Sequence, residues 1–296
     1  MKPSAYITET TEQELELNSL ASLLEVVLFR VLTNPLSQIS LESDTGKHLT
    51  TGEALEYDVG VLGDIITDEG LGSLVKYLKD LKIIAIVIEE SHQYDIGISG
   101  AFSNEDFSVS IVCPIVIRSR PEYHNTIMGI PAFVPGQLHS TIVHELRHAL
   151  DDKISNGKAL HRRAHSLHST PTEFELEQGE MAEQKAEYLR WHTEINARAS
   201  QAFSYVGGNV GDRVMSGEDI SNEDLTKFIL LALDGHLLVH IYKSNNPEVY
   251  NKKYLTEPRP LAAYPLDNPK FKKLIKRSYL FARKIQQDAQ KLLSEE

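Results

Sequence analysis

The stretch STIVHELRHALDD, positions 140 to 152, contains the residues whose types and spacing best suit chemistry. His144 and His148 are four apart, so on a helix they share one face a single turn apart and can grip one cation through their imidazoles. Glu145 sits beside the first histidine, offset enough to reach a metal-bound water without binding the metal itself. Zinc lowers the pKa of such a water to about 7, and a carboxylate can take its proton as it attacks a carbonyl. The flanking residues Ile142, Val143, Leu146, Ala149 and Leu150 are apolar, so this helix is expected to be buried. Buried histidines need polar partners, and a metal satisfies two at once.

A catalytic zinc also needs a third protein ligand and an open position. Six residues after His148, where one extended form of the motif carries a histidine, the chain has Ile154. His161, His165 and His168 are spaced for one helix face, but two arginines lie between them and the face reads as solvated. The segment YLRWHTEINARASQAF offers Glu194, followed by Ala197 and Ala199, small residues that allow one helix to approach another closely. Thr193 is placed to cap that helix, which would put Glu194 in its first turn. His192 and Glu187 compete as ligands from the same stretch. Glu145 and His148 also form the half-motif of helical di-iron sites, but the only other such pair, Glu89 and His92, ends an expected strand, so a di-iron bundle does not fit.

These residues need elements to position them. Residues 10 to 33 read as an amphipathic helix, with Leu15, Leu17, Leu20, Leu23, Leu24 and Val27 near helical spacing. A further helix is expected in GLGSLVKYLKDLK, residues 70 to 82. KIIAIVIEE, 82 to 90, is β-branched and reads as a buried strand. YDIGISGAF and FSVSIVC flank the turn-like SNED and suggest a hairpin, whose second strand should bend at Pro114 or lie at an edge. From Arg118 to Gly136 a long loop is expected, and helices over 137 to 153, near 172 to 203, over 222 to 243 and over 269 to 294. Strands come first and helices later, so the class is α+β. The expected layout is one domain over 1 to 296, with an N-terminal α/β lobe to residue 135 and a helical lobe carrying the metal site from 136.

With 296 residues the chain is long enough for a full core, and 41% hydrophobic with 24% charged residues is a globular composition. A net charge of -12 argues against nucleic acid as a partner. The basic group Lys270, Lys272, Lys273, Lys276 and Arg277 reads as a solvated helix face. The single cysteine, Cys113, excludes an internal disulfide and lies in an apolar run where it should be buried and inert. The apolar stretch LASLLEVVLFRVL is too short to span a bilayer and carries Glu25 and Arg30. The acidic, polar N-terminus is unlike a signal peptide, so a cytoplasmic location without membrane insertion is expected.

HELRHALDD followed by TEINARA resembles the zincin metallopeptidases whose third ligand is a glutamate, the gluzincins. Within them it is similar to lethal-factor-like toxin peptidases and to the ImmA-like peptidases of mobile elements, with related domains in phage-encoded proteins. The likeness covers roughly residues 95 to 203. It implies a zincin-like fold, Zn2+ held by His144, His148 and Glu194, Glu145 as general base, and a peptide or protein substrate laid along an upstream edge strand. It also implies an oxyanion-stabilising side chain, for which Tyr188 is the candidate. On one unbroken helix Tyr188 and Glu194 would point about 120° apart, so that role needs a break near residues 190 to 193. His236 and His240, four apart in an apolar stretch, are alternatives. Many members place an aspartate four residues after the glutamate ligand; here Arg198 stands there, which leaves Asp151 or Asp152 to orient a histidine. The reading from a different class is a zincin-like scaffold with a binding, structural or regulatory role in a phage or toxin system.

Overall fold

The computed structural model describes residues 3–33, 54–66, 72–89, 98–120, 126–131, 135–156, 192–233 and 269–295. The class is α+β, and the chain divides into two compact units, one formed by Glu16–Ile154 and the other by Met1–Leu15 with Ser155–Glu296. That grouping sets the HExxH helix with the strands, whereas the boundary expected at 135/136 sets it with the later helices. Shared burial is the physical reason: the helix and the strands contribute to one apolar core.

In the first unit the strands are β1 (Ala54–Val61), β2 (Lys82–Glu89), β3 (Ser99–Ser103), β4 (Ser108–Arg120) and β5 (Thr126–Pro131). Their order is β1-β2-β4-β3, with β5 paired to β4. β2 and β4 run parallel and the other pairings are antiparallel. Along β2, Ile83, Ala85 and Val87 are fully buried, and on β4 so are Val109, Ile111 and Cys113. This alternation is that of strands with one face on a core. The core is completed by Leu17, Leu20, Ala21, Leu24 and Leu28 of helix α1 (Pro3–Thr33) and by the buried face of helix α4 (Pro135–Ser155).

Two short helices, α2 (Leu62–Ile65) and α3 (Val75–Leu78), lie between β1 and β2. The helix expected over 70 to 82 is therefore a single turn. Its N-terminal end is tied down by a distant residue: the Glu16 carboxylate accepts from the Ser73 and Leu74 backbone N–H groups and from the Ser73 hydroxyl. Gly72, at φ +74°, makes the turn that brings those donors to Glu16.

The hairpin expected around SNED is present as β3 and β4, but the long loop expected from Arg118 to Gly136 is not. β4 continues to Arg120 and β5 returns along it, with Ile117 opposite Gly129 and Arg120 opposite Thr126. The Pro and Gly content suggested a loop, yet Thr126, Ile127 and Ile130 are β-formers and cross-strand pairing outweighs the single Gly129. Pro114 does not put β4 at an edge: it stays paired with Ile88 of β2, and the strand runs on to Arg120. Pro114 falls between the last β3 pair, at Val112, and the first β5 pair, at Ile115, where a missing N–H interrupts neither antiparallel ladder.

In the second unit, α5 (His192–Met215), α6 (Asn222–Leu233) and α7 (Pro269–Glu295) share their own core. It includes Phe203, Val206 and Val210 of α5, Leu225 and Ile229 of α6, and Phe281 and Ala282 of α7. α6 starts on a reciprocal cap: the Asp224 backbone N–H donates to the Ser221 hydroxyl, which donates to the Asp224 carboxylate at 2.6 Å. Buried Glu14, from the first turns of α1, accepts from Arg277 of α7 at 3.1 Å. Among the described residues no helix is long and apolar enough to cross a membrane.

Two adjacent glycines of α5 give an internal test of this packing. A Cβ on Gly207 would stand 2.8 Å from a ring carbon of buried Phe281, whereas one on Gly208 would meet nothing within 4 Å. Alanine gains about 1 kcal/mol of helix propensity over glycine, while overpacking a filled core costs about 1–3 kcal/mol. Thermal denaturation is expected to show Gly208→Ala as stabilising and Gly207→Ala as destabilising. The same sign at both positions would refute the close approach of α5 and α7.

Candidate metal centre

α4 opens on Pro135, whose missing N–H costs nothing in the first turn of a helix. From Ile142 to Leu150 every residue is buried. The apolar ones fill the core, and the polar ones, His144, Glu145, Arg147 and His148, are buried with them, the two histidines at 8% and 6% exposure. Burial of that many polar groups on one helix is costly unless they serve one another or a ligand.

The two histidines converge. Nε2 of His144 and Nε2 of His148 are 3.0 Å apart, and the rings meet edge to face with centroids 4.6 Å apart. Two imidazoles on one tetrahedral zinc, with Zn–N bonds of about 2.0–2.1 Å, would hold their nitrogens about 3.3 Å apart. The pair thus needs only a few tenths of an ångström of opening to share an ion. The observed distance also suits an N–H···N bond between two neutral rings. Either way the same two atoms face one point, as the four-residue spacing requires.

Two neighbours brace α4. His139, five residues before His144, contacts Glu25 Oε2 through Nδ1 and Asn18 Oδ1 through Nε2, both at 3.3 Å, which ties the helix to α1. Nothing in the local sequence marks His139 for that role, because its partners lie more than a hundred residues away in the chain. At the other end, Lys153 Nζ lies 3.8 Å from the centroid of the Phe107 ring, and Phe107 meets Phe102 edge to face. The tip of the β3–β4 hairpin is thereby fixed to the last turns of α4. Phe107 takes a positive φ of 50° to make that turn, an uncommon conformation for a bulky residue.

Between these braces β3 passes directly over Glu145. A Cβ added to Gly100 would lie 2.5 Å from Glu145 Cγ and 2.8 Å from Oε1. β3 is also a terminal strand in the sheet order, with β4 as its partner. Among the described residues an edge strand thus lies beside the HExxH helix, with the Glu145 carboxylate against it.

Asp151 and Asp152, the expected supports for a histidine, differ in their surroundings. Asp151 forms a 3.0 Å ion pair with Arg147 on the same helix. Asp152 is buried, and desolvation raises its carboxyl pKa above the usual range, partly opposed by the Lys153 charge. Glu194 lies in the first turn of α5, two residues after its start at His192. The helix begins before Thr193, so that residue is inside it and not at its cap. Ala197 and Ala199 are both buried, Ala199 in the core shared by α5, α6 and α7. The side chains of His192 and Glu194 lie outside the described residues, as do Glu187, Tyr188, His161, His165, His168, His236 and His240. Among the described residues no group of three or more His, Cys, Asp or Glu is arranged to hold a metal.

No protein-family model, curated protein or solved structure gives a significant match to this chain.

Proposed function

We propose that the protein is a zincin-type, zinc-dependent metallopeptidase. The observation that carries this reading is the 3.0 Å convergence of His144 and His148 Nε2 on a buried helix, with Glu145 between them in sequence and held against a terminal strand. His144 and His148 would hold the ion, with Glu194 as third ligand. Zinc bound there would supply Lewis acidity toward a carbonyl and a water of lowered pKa. Glu145 is the base that accepts the proton of the attacking water and can pass it to the leaving amine. The substrate is an extended peptide that pairs with the outer edge of β3, where main-chain hydrogen bonds fix its register without demanding particular side chains. Tyr188 is proposed to donate to the oxyanion.

A peptide-library digest tests this directly. Purified protein loaded with zinc is expected to cleave, to lose activity on chelation and to regain it on zinc return. Stoichiometric zinc without any cleavage would overturn the enzymatic reading and favour the binding scaffold.

A further inference from the structure

We infer that Gly100 is a positioning residue for the general base: the missing side chain at this point of β3 is the seat in which Glu145 lies. This rests on the metallopeptidase reading above, which assigns Glu145 its role.

Glycine is not required at this point by the backbone. Gly100 pairs in regular register with Ile111, and its φ is not among the positive values found in the chain. A glycine inside a strand weakens it and contributes no side chain to pack. The residue is explained by its neighbour. An added Cβ would fall 2.5 Å from Glu145 Cγ, 2.9 Å from Cδ and 2.8 Å from Oε1, and so overlaps the stem and the carboxylate together. Carbon atoms in contact stand about 3.5–4.0 Å apart, so an alanine would drive the carboxylate about 1 Å from its seat. Glu145 has little space to yield into, being 5% exposed on a helix buried along this stretch. Both ends of the contact are held, the hairpin by Phe107 against Lys153 and the helix by His139 against α1. The strand and the base therefore cannot separate without breaking one of those ties.

A misplacement of about 1 Å in a catalytic group can cost about 10²-fold in rate. Zinc-loaded Gly100→Ala is accordingly expected to lose about 10- to 100-fold in kcat, with KM changed less than about twofold and zinc content unchanged. Its Tm is expected to fall in the wild-type background and to stay unchanged when added to Glu145→Ala, which removes the overlapping atoms. Equal Tm losses in both backgrounds, or a normal kcat in a variant that shows the coupling, would overturn the inference while leaving the metallopeptidase reading intact. If Gly100→Ala alone does not fold, restored folding in the Gly100→Ala/Glu145→Ala double variant supports the contact, and no restoration overturns it. A wild-type chain that neither holds zinc nor cleaves peptides overturns the metallopeptidase reading, and the positioning role with it.

Discussion

Glu145→Gln is expected to keep about one zinc per chain while peptide hydrolysis falls by about 10² or more, the usual contribution of a general base. Glutamine has nearly the same shape, so the seat against Gly100 stays filled and β3 keeps its place. What disappears is the ability to accept a proton. Glu145 is buried, and a replacement of the same volume leaves its packing in place, so thermal stability should stay near normal. Elemental analysis, a melting curve and kcat on one cleavable peptide separate the three properties. A variant that retained full activity would remove Glu145 from the mechanism. One that lost zinc as well would make it a ligand.

His148→Ala is expected to empty the site. The remaining pair, His144 and the proposed Glu194, is short of the three ligands of a catalytic zinc. Zinc at about 100 times its dissociation constant stabilises a folded chain by about 2.7 kcal/mol, so added zinc should raise the melting temperature of wild type and leave His148→Ala unmoved. Comparing both proteins after chelation removes the separate cost of losing a buried imidazole. Glu194→Ala should behave like His148→Ala in this assay, and His192→Ala like wild type. If His192→Ala lost zinc and Glu194→Ala kept it, the third ligand would move two residues along α5.

The parts of this fold that were legible in sequence are those with strong local periodicity. β2 announced itself through KIIAIVIEE, the hairpin through SNED between two apolar runs, and α4, α6 and α7 through apolar residues at helical spacing. α1 starts at Pro3, seven residues before the expected position 10, because PSAYITE has no helical repeat of apolar residues to mark it. β5 is not legible locally for a different reason. TIMGIP is too short and too rich in Gly and Pro to declare itself, and it becomes a strand only by pairing with the far half of β4. Likewise the pattern of residues 70 to 82 suits three turns of helix, but α3 is one: Gly72 and Glu16 fix its start, and the turn from Leu78 O to Leu81 N–H leads into β2.

The candidate site divides along the same line. The convergence of His144 and His148 could be read from four-residue spacing alone, since helix geometry fixes it. The contact of Gly100 with Glu145 could not, because it joins residues 45 positions apart through the packing of a strand on a helix. The residue that Gly100 leaves room for is Glu145, the proposed base. Glu194 carries no local geometric signature of ligation, so its role rests on residue type and resemblance.

The chain's single cysteine is a built-in reporter of how the sheet opens. Cys113 is fully buried on β4, and burial pushes its thiol up to about 12. At pH 7 only about one molecule in 10⁵ would then hold a thiolate, so a thiol reagent modifies the chain only when β4 is exposed. Cys113 follows Val112, the last residue of β4 paired with β3. A labelling rate that tracks global stability across denaturant would mean that the sheet opens as one piece. A faster rate would mean that β4 opens locally around Cys113, where its pairing passes from β3 to β5, while the rest of the sheet stays formed.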